Sequence, residues 1–208
     1  MTEKKAAVYV VDDDPSVRRA LERLLRSADY DAKAFASAPE FLDFTCPDMP
    51  GCLILDIKMP GLSGLELQDR LSEKGNSLPI IFITGHGTVP ASVRAFKAGA
   101  MDFLQKPFKE KELLDAVFRA IEKHRLLRRE QKEIKALHAR LETLTRRERE
   151  VFSHIVSGLL NKQVAFELGI TEKTIKVHRA RVMQKMGAQS LADLVRFAQK
   201  LGIRSSAA

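Results

Sequence analysis

The chain is poor in cysteine, has no long apolar run and contains no low-complexity tract. Its two thiols, Cys46 and Cys52, cannot build a disulfide framework, and Cys52 opens an apolar run. They read as buried or incidental thiols in a reducing compartment. No apolar stretch approaches the roughly 20 residues of a membrane span, which excludes a transmembrane helix. The opening MTEKKAAVYVV runs straight into a strand pattern without a signal-peptide cleavage region. A cytoplasmic protein with no membrane partner is therefore expected. What is present is globular: 208 residues, 45% apolar and 30% charged, enough for one large domain or two small ones.

Charge divides the chain. Residues 1–118 hold 15 Lys+Arg and 18 Asp+Glu, net −3, while residues 119–208 hold 20 and 9, net +11, which together make the overall +8. A slightly acidic half joined to a strongly basic one points to two domains with different partners. For the basic half the partner indicated is nucleic acid, although a solvated basic face has the same composition.

The first 118 residues alternate strand and helix patterns. Strands are predicted at 7–11, 30–35, 52–56, 80–84 and 101–104. Their apolar runs read as parallel strands buried on both faces. Amphipathic stretches lie between them, carrying Leu21 and Leu25, then Phe41, then Leu67 and Leu71, then Val93 and Phe96, then Leu113 and Val117. Five such units predict a (βα)5 doubly wound parallel sheet, with Pro15 in the first turn of the first helix.

From about 109 a helical pattern continues toward 142 without Gly or Pro. Leu127, Ile134 and Leu141 recur every seven residues, with Leu137 and Leu144 as an offset second series. That spacing suits a dimerising helix, a helix packing on its own domain, or a charged connector. Four short helices follow, opened by Thr145 with Glu148 at capping-box spacing and ended by Gly158, then 161–168 closed by Gly169, then a helix from Thr171 to about 186, and a last one from Ser190. The predicted organisation is a 1–122 domain, a 123–143 helical connector, continuous with the last helix of that domain or separate from it, and a 144–208 all-α domain.

Polar residues stand at the ends of the apolar runs: Asp12, Asp13 and Asp14, then Asp56, then Thr84, then Lys106 before Pro107. Ligands of open α/β sheets bind at the carboxyl ends of the strands, so these groups converge. Magnesium takes oxygen ligands, usually one or two carboxylates plus phosphate oxygens. Asp13 and Asp56 can supply the carboxylates, with Asp12 holding a metal-bound water. Asp56 is also placed as a nucleophile that forms an acyl phosphate. Lys106 can pair with phosphoryl oxygens and Thr84 can donate a hydrogen bond to one. A proline after a site lysine suggests a cis peptide.

VYVVDDDPSVR, LILDIKMPGLSG, ITGHG and DFLQKPF together resemble the signatures of a two-component receiver domain over roughly residues 6–122, and ITGHGTVPASV resembles the FixJ-type branch in particular. The resemblance implies a flavodoxin-like fold and Asp56 as the phosphoacceptor. It implies Mg2+ or Mn2+ bound by Asp13, Asp56 and the backbone carbonyl of Lys58. It further implies a switch in which Thr84 moves toward the phosphoryl group, Phe103 turns inward, and the 88–108 surface becomes a dimer face. Phe103 as core filler is the alternative. Lys58 and His86 sit where such families vary and would tune phosphoryl lifetime.

The segment from Leu144 to Val195 resembles a LuxR/NarL-type helix-turn-helix. On its third helix Ile175, Val182 and Met186 form an apolar stripe, leaving Lys173, Lys176, Val177, Ala180, Arg181 and Gln184 on the opposite side. Lys176 and Arg181 can reach guanine edges or phosphates, and Val177 and Ala180 thymine methyls. Asn161, Lys162, Thr171 and Thr174 lie at helix N-termini suited to phosphates, with capping as the simpler role of Thr171. Arg179 falls beside the stripe and is expected in an internal ion pair. The apolar stripe of the last helix is either core or a dimer seam.

The reading is a response regulator, phosphorylated by a sensor histidine kinase, dimeric when phosphorylated, and bound to two promoter half-sites within reach of RNA polymerase. It is not a turnover enzyme, beyond its own phosphorylation and autodephosphorylation. A haloacid-dehalogenase-like phosphatase is the rival, but such enzymes generally need a second acid two residues after the nucleophile, where this chain has Lys58. A signalling adaptor with a protein-binding helical domain is the third reading.

Overall fold

The computed structural model describes residues 6–85, 93–95 and 97–203. The chain divides into two compact units, Met1–Arg128 and Arg129–Ala208.

The first unit holds strands β1 (Ala7–Val11), β2 (Asp31–Phe35), β3 (Gly51–Asp56), β4 (Ile80–Thr84) and β5 (Asp102–Gln105). They form one parallel sheet in the order β2-β1-β3-β4-β5. This is the flavodoxin-like arrangement, whose strand order reverses between β1 and β3 and leaves a crevice at their carboxyl ends. Helices α1 (Pro15–Ser27), α2 (Ala38–Leu42), α3 (Gly64–Glu73) and the start of α4 (Glu110–Glu142) cover it. Residues 93–95 are also helical; Phe96 and His86 lie outside the described residues.

Because side chains alternate along a strand, each central strand feeds two apolar layers. Val8, Val10, Cys52, Ile54, Ile81 and Ile83 pack with Leu21, Leu25, Leu113 and Val117 on one face. Tyr9, Val11, Leu53, Leu55 and Phe82 pack with Phe41, Leu67 and Leu71 on the other. β1, β3 and β4 are buried along their whole length, which is why they read as unbroken apolar runs. The root of α4 is tied to this unit by the buried His124, whose Nδ1 lies 3.0 Å from the Gly51 amide nitrogen, and by an ion pair of Arg128 with Asp48. The same Nδ1 lies 2.9 Å from the Gly51 carbonyl oxygen, and burial pushes the His124 pKa down against that bond.

The second unit contains the rest of α4, then α5 (Arg146–Val156), α6 (Asn161–Leu168), α7 (Glu172–Met186) and α8 (Leu191–Lys200). Thr145 and Glu148 form the predicted capping box, and Gly169 and Gly187 close α6 and α7 in left-handed conformation. Val151, Phe152, Ile155, Ile175, Val182 and Met186 make the core, joined by Leu194 and Ala198 of α8. Of the stripe on α8, Leu194 and Ala198 are core, Val195 and Leu201 pack against it half-buried, and Leu191 is exposed. Leu137 and Leu144 are buried in the same cluster, with Leu141 packed against it, so this part of the seven-residue series serves its own domain. Among the described residues no helix is long and apolar enough to cross a membrane.

Candidate functional site

Three consecutive acids end β1, and they do not share one fate. Asp14 is the N-cap of α1: its Oδ1 accepts from the Ser16 N–H at 2.7 Å and the Ser16 hydroxyl at 2.6 Å. Those bonds hold its pKa below the usual carboxylate range. Asp12 is buried, with Oδ1 accepting the Asp14 N–H at 2.9 Å and Oδ2 accepting from Lys106 Nζ at 2.7 Å. Asp13 is exposed. The parallel register brings Asp56, at the end of β3, beside them: carboxylate oxygens of Asp12, Asp13 and Asp56 all lie within 4.8 Å of one another.

Three carboxylates this close repel, and burial adds to the penalty. Desolvation pushes the Asp56 pKa up, and Asp12 and Asp13 push it further, against the opposing pull of Lys106. Lys106 Nζ bridges the group, 2.7 Å from Asp12 and 3.4 Å from Asp56. Burial lowers the lysine's pKa, but the hydrogen bond and charge of Asp12, then the charge of Asp56, outweigh it, so the ammonium is held protonated. An all-oxygen donor set with excess negative charge fits a hard divalent cation.

Thr84 is buried at the end of β4, and its carbonyl accepts the Lys106 N–H at 2.8 Å. The Lys106–Pro107 peptide is cis. Phe103, on β5 opposite Phe82, is half-buried against the α2–α3 side of the core. Lys58 follows β3 as an exposed residue. The fold therefore gathers Asp12, Asp13, Asp56 and Lys106 at one point, with the Thr84 strand end joined to Lys106. Sequence reasoning missed Arg18, whose Nη1 donates to the Asp12 carbonyl at 2.6 Å. Its spacing of six residues from Asp12, one turn inside α1, was the available signal.

Residues 8–118 match the response regulator receiver domain, and residues 142–198 match the bacterial regulatory proteins of the luxR family. The chain belongs to the response regulators. Nodulation protein W of Bradyrhizobium diazoefficiens is 51% identical over 202 residues, spanning 97% of this chain and 89% of that protein. The transcriptional regulatory protein FixJ of Rhizobium meliloti is 43% identical over 191 residues, spanning 92% and 94%. Among solved structures, the response regulator StyR matches with a TM-score of 0.84 at 47% identity over 94% of this chain and 99% of that one. Full-length FixJ from B. japonicum matches with a TM-score of 0.59 at 40% identity over 97% and 100%. A receiver followed by a luxR-type DNA-binding domain makes this response regulator a two-component transcription regulator.

The response regulator's helix-turn-helix is α6, the turn at Gly169–Thr171, and α7. Lys173, Thr174, Lys176, Val177, Ala180 and Arg181 are all exposed on α7, opposite the buried Ile175, Val182 and Met186. Thr171 caps the helix, accepting the Thr174 N–H at 3.2 Å, and the two hydroxyls lie 2.9 Å apart. Lys162 is exposed at the start of α6. One expectation needs correction. Among the described residues Arg179 makes no ion pair; its Nη1 donates to Asn161 Oδ1 at 3.2 Å, an amide partner that desolvates more cheaply than a carboxylate. Asn161, at the start of α6, accepts that bond through its side-chain oxygen.

Proposed function

We propose that Asp56 is the phosphoacceptor and that its phosphorylation by a sensor histidine kinase controls promoter binding through α7. The observation that carries this reading is the convergence of Asp12, Asp13 and Asp56 within 4.8 Å, with Lys106 Nζ bonded to Asp12 and Asp56. Asp13, Asp56 and the backbone carbonyl of Lys58 would hold Mg2+ or Mn2+, with Asp12 acting through a metal-bound water. When bound, that ion offsets repulsion between the carboxylate and the incoming phosphoryl group.

An Asp56 carboxylate oxygen forms the new bond to phosphorus as the bond to the kinase histidine nitrogen breaks. The Lys106 ammonium then pairs with a phosphoryl oxygen in place of the Asp56 carboxylate. The Thr84 hydroxyl moves to donate to another, and Phe103 turns inward into the space behind it. Phosphorylation adds about −1.5 to −2 charges, which shifts an existing equilibrium toward a dimer. Part of the expected 88–108 dimer face lies outside the described residues. The dimer presents two α7 helices to two half-sites in the major groove, with Lys173, Lys176 and Arg181 supplying charge and Val177 and Ala180 apolar contacts. Thr174, Lys162 and Asn161 approach the phosphates, and RNA polymerase is recruited from that complex. The cytoplasm is where these partners meet.

Asp56→Asn protein should take up no phosphoryl label from a small-molecule acyl phosphate with Mg2+. Equal labelling of wild type and variant would remove Asp56 from the mechanism.

A further inference from the structure

We infer that Arg140, in the last turn of α4, is a positioning residue for the DNA-reading helix α7. The last carbonyls of a helix lack partners within it, and they carry the negative end of its dipole. At the end of α7, the Gly187 N–H returns to Gln184 and the Ala188 N–H to Met183. The carbonyl of Met186 instead accepts from Arg140 Nη1 at 3.0 Å. A guanidinium at that point satisfies the acceptor and faces the dipole with the favourable sign.

The contact is built on both sides. Gly187 makes the left-handed turn at φ +67°, and a Cβ there would come 2.8 Å from Arg140 Nη1 and push the guanidinium aside. Leu137, one turn before Arg140, is buried with Val182 and Met186. Lys185, next to Met186, reaches back: its Nζ donates to the Thr143 carbonyl at 3.0 Å and to the buried Glu148 carboxylate at 2.6 Å. The C-terminal turn of α7 is therefore clamped by a cation at each of two successive residues. Its N-terminal part, carrying Lys173 and Lys176, is held by the buried Ile175 and by the Arg179–Asn161 bond, while among the described residues no cation from another element bonds there and Lys176 pairs with Glu172 of its own helix.

Loss of the cationic clamp leaves the helix held by its core contacts alone, and those permit a small tilt. Ten residues separate Met186 from Lys176, about 15 Å at 1.5 Å per residue, so a 5° tilt at the clamp moves Lys176 by about 1.3 Å. Hydrogen bonds to base edges do not survive that displacement, whereas attraction to phosphates tolerates it. Arg140 thereby favours sequence readout over general affinity. It does so without touching DNA.

This inference rests on the reading that α7 enters the major groove. The test uses the full-length protein as wild type, Arg140→Ala, Arg140→Lys and Lys176→Ala. Binding to an operator obtained by selection from random duplexes is measured at fixed salt against binding to an unrelated duplex. The expected result is that Arg140→Ala lowers operator affinity about tenfold while the unrelated duplex changes less than about twofold. Arg140→Lys should recover part of the loss, since an ammonium still meets the carbonyl. Lys176→Ala should weaken both duplexes. Arg140→Ala binding that is unchanged, or weakened equally on both duplexes, overturns the positioning role. If Arg140→Ala does not fold, Arg140→Lys decides alone: a reduced operator preference with unchanged unrelated binding supports the role, and a wild-type ratio overturns it. Wild-type protein with no preference for any duplex overturns the DNA-reading assignment beneath it, a result the variants cannot produce.

Discussion

Gly64 lies at the start of α3, seven residues after Ile57, and its N–H donates to the Ile57 carbonyl at 3.0 Å. A Cβ at this position would stand 2.2 Å from the Asp56 carbonyl oxygen and 3.1 Å from both the Asp56 carbonyl carbon and Ile57 Cα. Ordinary contact begins at 3.4 Å, so Gly64→Ala requires a shift of about 1 Å between α3 and the end of β3. The obstacle is backbone on a central strand, which cannot swing aside as a side chain would. Overpacking of this kind costs about 1–3 kcal/mol. The same shift displaces Asp56 itself, and a misplacement of about 1 Å at a reacting group can cost on the order of 100-fold in rate. We expect Gly64→Ala to fold, to unfold at lower denaturant, and to be phosphorylated by acyl phosphate with Mg2+ about 10- to 100-fold more slowly. Time courses of labelling and equilibrium denaturation, run on the same preparation, separate the two effects. Labelling at the wild-type rate, whatever happens to stability, would refute the argument that this close approach sets the position of Asp56.

Two further outcomes follow from the second unit. Affinity for DNA should fall steeply with salt, and Lys176→Ala should reduce the slope of log K against log salt by about 0.9 if that lysine meets a phosphate; a salt-independent wild-type isotherm would count against the groove geometry. Glu148 accepts from Lys185 Nζ at 2.6 Å and from the Thr145 N–H at 2.8 Å, which lowers its pKa from the ordinary 4.5 to about 2. A carboxylate depressed in the folded state contributes its stability in full above about pH 4.5, and loses it as the pH falls toward 2. Glu148→Gln should therefore destabilise the DNA-binding domain at pH 7 by about 1.5–3 kcal/mol, with the gap to wild type closing in acid; a gap constant from pH 7 to pH 2.5 would show that charge is not involved.

The sheet was legible because β1, β3 and β4 are buried on both faces, and burial on both faces leaves no polar position to interrupt the run. Asp12, Asp56 and Thr84 were legible for the same reason: they are where those runs stop, whereas Lys106 follows the half-buried β5. Asp14 was not separable from its neighbours by residue type alone, since only the cap geometry before Pro15 turns it away from the cluster. Gly64 read as punctuation, whereas its φ is unexceptional and the requirement is a steric one imposed by a strand eight residues earlier. Leu137 and Leu144 fit a coiled-coil seam and a domain core equally well, because periods of 3.5 and 3.6 residues barely diverge over two turns. Arg179 and Asn161, eighteen residues apart, meet only once α6 and α7 have packed.

The position of α4 also bears on how such proteins exchange parts. The luxR-family match begins at residue 142, but the compact unit begins at Arg129, and Leu137 and Arg140 lie between those two points. A recombination that swapped output domains at the family boundary would leave both residues with the receiver's lineage. The incoming domain would then depend on whatever apolar residue and cation the host helix happened to offer. Crossovers near 128 and 129 carry the complete set. The segment inherited as a sequence family is thus offset from the segment that folds by roughly three to four helical turns.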